Sequence, residues 1–328
     1  MLHDEQAQEH GYEQIMHTAC SRFDLGSWSG QLDRLSGSFN ETFRFSTDRG
    51  MYVIRLLNPS TSIPRLEELQ SVIMHLNEEG LPVPLPFLTQ ENTCFSIIDE
   101  RVVQVAPNLS GQRFHCHSEQ VHASGQMLKR LHRTLLGRKL NLKPAHSFYP
   151  TQDYYTEALK QLQRLDGIPA SELDQVACYA ERIEQSWNSM GRLPSTLIHG
   201  DWHFWNQLYT KHRISAVLDF DYMEEGIRIH DVAYALWCIY ILLPRYQDTF
   251  DVAFLEGYGM LTSEERELLP AAVARISLFF LLHAVTSADP LEKWEKQVQR
   301  QLPLLAWLQE EGGKRISAVK PNHDEKSR

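Results

Sequence analysis

The stretch Leu197–Tyr222, LIHGDWHFWNQLYTKHRISAVLDFDY, constrains this chain more than any other. Thr196, Leu197 and Ile198 are apolar or β-branched and read as a short strand running straight into His199. Asn206 opens a second strand, Gln207 to Tyr209, and Thr210–Arg213 is a polar turn. Ile214 to Leu218 reads as a third, largely buried strand that ends on Asp219. His199, Asp201, Asn206 and Asp219 therefore stand at strand ends beside loops, where reactive side chains are commonly presented. Any one of them alone would read as a cap or a turn residue. Four of them in this order read as a site.

Composition sets the outer bounds. The chain has 328 residues, enough for two ordinary domains or one two-lobed unit, and 42% apolar residues supply a core. A net charge of −10 argues against a nucleic-acid partner, which calls for basic excess, and is compatible with a cationic substrate. Cys20, Cys94, Cys116, Cys178 and Cys238 are scattered and odd in number, so they predict reduced thiols and a cytoplasmic protein. The N-terminus lacks the basic start and apolar run of a signal peptide. The longest apolar runs, near 232–243 and 276–285, are shorter than the roughly 20 residues that span a bilayer, so no membrane partner is expected. Nothing in the sequence bears on oligomeric state.

The four residue types suit phosphoryl transfer. Attack of a hydroxyl on a γ-phosphate needs a carboxylate to orient and deprotonate the nucleophile, and oxygen ligands to hold Mg²⁺ against the phosphates. The protein-kinase catalytic loop supplies these as H-R-D-x-x-x-x-N followed by D-F-G. His199-Gly200-Asp201 and Asn206 keep that spacing, and Asp219-Phe220-Asp221 follows, with Asp221 in place of the glycine. The string HGDWHFWN followed by VLDFD resembles the HGDxHxxN…DFD signature of the aminoglycoside phosphotransferase/choline kinase family. That family is similar to protein kinases in fold and mostly phosphorylates small molecules.

The resemblance implies an α+β, two-lobed, protein-kinase-like fold with a small antiparallel-sheet N-lobe and a larger, mostly helical C-lobe. It places the N-lobe at 1–105, a hinge at 106–111, the C-lobe at 112–318 and a flexible tail at 319–328. It implies ATP and Mg²⁺ as cofactors and a small-molecule hydroxyl as acceptor. Asp201 would be the base. His203 would stand where protein kinases have a Lys that touches the γ-phosphate, and either donates a hydrogen bond there or stands by. Asn206 and Asp219 would hold the metal. Gly37-Ser38-Phe39-Asn40, at the tip of a hairpin in 27–46, resembles the family's reduced phosphate loop G-x-x-N. Arg55 in Tyr52-Val53-Ile54-Arg55 takes the place of the kinase Lys, keeping charge with a different reach. Glu68 flanks the apolar stripe Leu66, Leu69, Ile73, Leu76 and is the candidate to pair with Arg55.

The remaining segments are read from pattern. A helix is expected over 5–24, with Tyr12, Ile15, Met16 and Cys20 on one face, and another after Ser62-Ile63-Pro64, ending at Gly80. Gly80-Leu81-Pro82-Val83-Pro84 resembles the family's exit into the sheet, and Phe95–Val105 reads as a hairpin around Asp99-Glu100-Arg101. His132 ends a helix resembling the family's L-x-x-L-H and is expected in the core. His115, His117 and His122 lack a partner that would complete a zinc site. Residues 222–229 read as a polar loop. Asp231, in a segment resembling D-x-A-x-x-L, is expected to accept backbone N–H groups and brace the loop. Helices are expected near 152–190, 232–243, 247–259, 263–285 and 290–311, and about the last fifteen residues as a frayed end.

For the acceptor, an aminoglycoside or another amino alcohol leads, and homoserine, choline-like alcohols and sugar-like hydroxyls stay open. Asp221, Glu224 and Glu225 are available to a cationic acceptor. A protein Ser/Thr kinase and a degenerate nucleotide-binding scaffold are the rival readings.

Overall fold

Period-two burial sorts the first strands into two faces. In the computed structural model, which describes residues 2–35, 40–188 and 193–319, Phe43 and Phe45 point inward from one strand and Ile54 and Leu56 from the next. The chain forms two compact units: residues 1–111, 141–145 and 215–218 make the first, and residues 112–140, 146–214 and 219–328 the second.

The first unit opens with helix α1 (Leu2–Arg22). Strands β1 (Trp28–Arg34), β2 (Glu41–Thr47) and β3 (Gly50–Leu56) follow, then helix α2 (Ile63–Glu78) and strands β4 (Ser96–Ile98) and β5 (Arg101–Pro107). The five strands form one antiparallel sheet in the order β1-β2-β3-β5-β4. Met16, Ala19, Cys20 and Phe23 of the first helical segment pack on Phe43, Phe45, Ile54, Val103 and Val105. Alternation puts Arg55, between Ile54 and Leu56, on the opposite face of β3, in register with Thr42 and Gln104. The β4–β5 turn places Asp99 and Glu100 at φ +48° and +62°, the left-handed pair that a two-residue hairpin demands.

The second unit is mainly helical. It contains α3 (Ser118–Thr134), α4 (Gln152–Gln163), α5 (Ala170–Asn188), β6 (Ser195–Ile198), β7 (Gln207–Thr210) and the start of β8 (Arg213–Val217). Then come β9 (Glu224–Ile227), α6 (Ile229–Leu242), α7 (Gln247–Tyr258), α8 (Ser263–His283), α9 (Pro290–Gln309) and α10 (Glu311–Ala318). A Thr262–Glu265 capping box starts α8, and Glu265 also takes a two-pronged hydrogen bond from Arg228 at 2.7 and 2.8 Å.

Three expectations are corrected. Residues 224–227, read as loop, form β9 and pair with β6 because Glu224 and Gly226 turn inward while Glu225 turns out. The chain beyond 313 stays helical through Ala318, since Ile316 is buried and Arg315 binds Asp248 and Asp251. Segment Ser263–Thr286 is long and apolar enough to cross a membrane by length and composition. The apolar run at 276–285 is its C-terminal part, and residues 268–274 extend it on the other side of Arg275. Its most apolar window is 78% buried inside the protein, as the core helix of this unit.

Candidate active site

Strand β6 delivers His199 at its end, fully buried, and the next residue turns the chain sharply. Gly200 has φ +80°, and a Cβ there would lie 2.4 Å from the Tyr222 carbonyl oxygen, so only glycine fits. The turn is fastened from helix α6. Asp231 Oδ2 accepts from the His199 N–H at 2.8 Å and Oδ1 from the Gly200 N–H at 2.9 Å. His132 Nε2 reaches the same Oδ2 at 2.9 Å, and its Nδ1 pairs with the Tyr258 hydroxyl at 2.9 Å. Burial alone would raise the Asp231 pKa; the His132 hydrogen bond and the nearby imidazoles hold it below the usual carboxylate range. Hydrogen bonds thus join Tyr258, His132, Asp231 and the two loop amides, so the bracing expected of Asp231 is made.

The next six residues hold the candidate base, Asp201. Asp201 is buried, and the Asn206 side-chain amide donates to its carbonyl at 3.1 Å and its Oδ2 at 2.9 Å. His203 Nδ1 accepts from the Asn206 N–H at 3.2 Å, which leaves the ring proton on Nε2, 3.5 Å from Asp201 Oδ2. Burial lowers the His203 pKa, with the Asp201 charge opposing, so the ring is neutral at pH 7. Trp202 and Phe204 anchor the loop: the indole N–H donates to Ser124 Oγ at 3.1 Å, and Phe204 stacks on Phe114 at 4.9 Å.

Asp219 follows β8 at φ +62°, a left-handed backbone uncommon for a non-glycine residue and more accessible to Asp than to most. Tyr222 lies near it: burial first, then the charges of Asp219, Asp201 and Asp221, push its hydroxyl pKa up to about 12. Tyr234, one helical turn past Asp231, is also raised, by burial and then by the Asp201 charge. These two rings belong to an aromatic wall. Phe148 stacks on Tyr222 at 4.4 Å and meets Tyr234 at 5.9 Å and Phe280 at 5.8 Å, and Trp237 stacks on Phe280 at 4.2 Å. Sequence reasoning did not gather these rings into a wall; the available signal was Tyr222 directly after the DFD motif and Tyr234 one turn after Asp231.

The oxygen donors fit Mg²⁺. The Asn206 amide nitrogen is the end engaged by Asp201, which leaves the carboxamide oxygen as its remaining acceptor, and Asp219 adds a carboxylate. Among the described residues no three His, Cys, Asp or Glu form an all-protein metal cage. Mg²⁺ characteristically takes one or two side-chain oxygens and completes its shell with phosphate oxygens and water.

The other expected site residues belong to the first unit. Arg55 lies on the polar face of β3. Glu68 does not make the expected pair with Arg55: its carboxylate accepts from the Asn141 N–H at 3.0 Å, the Asn141 side chain at 2.8 Å and the Leu142 N–H at 3.1 Å. Those backbone donors need an acceptor, and Glu68 on α2 supplies it. Gly37 and Ser38 lie outside the described residues. Glu224, offered as a contact for a cationic acceptor, is buried and accepts from Ser147 Oγ; Glu225 is exposed.

Comparison with known proteins extends this geometry. A profile of the phosphotransferase enzyme family matches residues 33–270. Homoserine kinase of Sinorhizobium medicae is 25% identical over 266 residues, 79% of this chain and 80% of the relative. Homoserine kinase of Rhizobium meliloti is 26% identical over the same shares. Among solved structures, a microcompartment-associated aminopropanol kinase superposes with TM-score 0.73 at 17% identity, covering 93% of this chain and 98% of that one. An amicoumacin kinase in complex with AMP-PNP, Ca²⁺ and Ami gives 0.70 at 16%, covering 93% and 96%. With the profile spanning most of its length and a two-lobed, kinase-like architecture beneath it, the chain belongs to the phosphotransferase enzyme family and is a kinase-type phosphotransferase.

Proposed function

We propose that this protein transfers the γ-phosphoryl group of ATP to the hydroxyl of a small amino alcohol, with Asp201 as the base. The observation that carries the reading is the buried Asp201 carboxylate, held by Asn206 and faced by a neutral His203. Asp201 orients the acceptor hydroxyl and takes its proton as the oxygen attacks the phosphorus. His203, with its proton on Nε2 toward Oδ2, keeps the carboxylate in place rather than exchanging protons itself. Asn206 and Asp219 would hold Mg²⁺, which would offset the negative charge that builds on the phosphates. Arg55 is assigned to the phosphates, where a guanidinium grips two oxygens at once. Free thiols at all five cysteines fit a reducing cytoplasm.

The aromatic wall beside Asp201 supports the acceptor class, because ring faces attract an ammonium group. Two names point the same way: the relatives are homoserine kinases, and the aminopropanol kinase has the same fold.

The test is ADP release from Mg·ATP with homoserine, 1-amino-2-propanol, choline and an aminoglycoside as acceptors. Acceptor-dependent release is expected with at least one small amino alcohol. Asp201→Asn should lower kcat by about 10³-fold, the size of a positioned general base, at unchanged melting temperature. Parental turnover in that variant would remove Asp201 from the chemistry, and release with the aminoglycoside alone would move the acceptor class.

A further inference from the structure

Helix α8 carries a buried cation that the catalytic loop does not use. Arg275 is 8% exposed. Its guanidinium carbon lies 4.8 Å from the centroid of the Tyr155 ring and 4.2 Å from that of Trp187. One N–H donates to the Pro150 carbonyl oxygen at 3.2 Å, and the Arg275 backbone carbonyl accepts from the Tyr155 hydroxyl at 2.8 Å. Among the described residues no carboxylate forms an ion pair with it. Buried charges are ordinarily paired, so this arrangement calls for an explanation. Both rings stand at cation–π distance from the guanidinium, whose donors lie in its own plane.

Arg275 also lines a cavity of about 190 Å³ between α4, α5 and α8. None of His199, Asp201, Asn206 and Asp219 lines it. Glu181 and Glu184, adjacent on one face of α5, stand on its wall, and Leu159, Ile183 and Leu278 give it an apolar surface. Glu181 already accepts from the Gln185 side chain at 3.2 Å, and both glutamates belong to the exposed side of α5. The lining therefore has a positive pole, a negative pole and apolar surface. A simple anion would be drawn to Arg275 and repelled by two carboxylates. A simple amine would meet the reverse. A molecule carrying both charges on a short apolar body satisfies all three.

We propose that this cavity is a second small-molecule site that binds a zwitterionic α-amino acid, its carboxylate on Arg275 and its ammonium on Glu181 and Glu184. Planar, two-pronged recognition of a carboxylate is what an arginine offers and a lysine does not. The rings of Tyr155 and Trp187 fix the guanidinium before the ligand arrives, which lowers the ordering cost of binding.

The test uses the full-length protein and L-alanine, L-valine and L-leucine, which carry no hydroxyl to be phosphorylated. Calorimetric titration is expected to give saturable one-to-one binding of at least one of them, retained in Asp201→Asn. Propionate and propylamine should each bind at least tenfold more weakly. The double variant Glu181→Gln/Glu184→Gln sits on an exposed helix face and should keep the parental melting temperature and turnover while binding at least tenfold more weakly. Arg275→Lys should do the same to binding. No saturable binding of any of the three at about 10 mM would overturn the proposal. So would binding that survives the glutamate variant unchanged, or half-ligands that bind as well as the amino acids.

Discussion

His230 shows what one side chain does away from the chemistry. It is buried beside Tyr149 at 4.9 Å, and its Nε2 has no hydrogen-bond partner. Burial, with a further push from the Arg275 charge and Asp231 opposing, lowers its pKa to about 4. Folded-state pKa lies below the unfolded value, so on acidification the unfolded chain takes up the proton first. The stabilisation is complete above about pH 6.5 and is lost as pH falls toward 4; at the limit this is about 3 kcal/mol, and His203 shifts in the same direction. Urea denaturation at several pH values between 7.5 and 4.5 should show stability falling with pH, and His230→Gln should flatten that slope. Parallel slopes for parent and variant would show that His230 does not titrate on unfolding. The candidates Asp201, Asn206 and Asp219 could be picked from sequence because their spacing is a linear pattern. The coupling of His132 to Asp231 was not, since 99 residues separate two side chains that share one hydrogen bond.

At the scale of elements, the β6 turn and helix α6 act as one device. Asp231 sits in the first turn of α6, where the helix N-terminus favours a carboxylate, and fastens two loop amides that would otherwise be buried without acceptors. Gly200→Ala would force a Cβ into the Tyr222 carbonyl and a side chain into a left-handed backbone. That strain costs on the order of 1–3 kcal/mol locally. The expected outcome is a lowered melting temperature together with a loss of turnover larger than the loss of folded protein, measured as ADP release per folded molecule by circular dichroism. Turnover that falls only in proportion to folded protein would mean that the turn supports the fold alone. Helix positions here were legible because their apolar stripes repeat at the helical period. Strand β9 was not, because four residues with two adjacent glutamates carry no strand signature until β6 offers its edge.

For the whole molecule, nucleotide is the natural probe of the assignment. A ligand that binds only the folded state stabilises it by about 2.7 kcal/mol at a hundred times its Kd. Mg·ATP should therefore raise the melting temperature in a concentration-dependent way, and excess EDTA should remove most of the gain. Asp219→Ala should blunt the effect of Mg²⁺ while leaving the metal-free melting temperature near the parental value. An equal response to ATP with and without Mg²⁺ in the parent would take the metal role from Asn206 and Asp219.

The amino-acid order by itself determined the reaction type. His199, Asp201, Asn206 and Asp219 fall within 21 residues, close enough for the chain to specify their spacing directly. The two-lobed α+β class came from the resemblance that the same motif carries, not from periodicity. Tertiary structure alone decided what surrounds the base. The rings of Phe148, Tyr222, Tyr234, Trp237 and Phe280 come from four separate segments, and their approach depends on how α6 and α8 pack. It alone decided that Glu68 turns to the 141–142 backbone and that Arg275 lines a cavity. Contacts of that kind are set by which buried donors and acceptors must find partners once distant segments meet, and no local pattern encodes that choice.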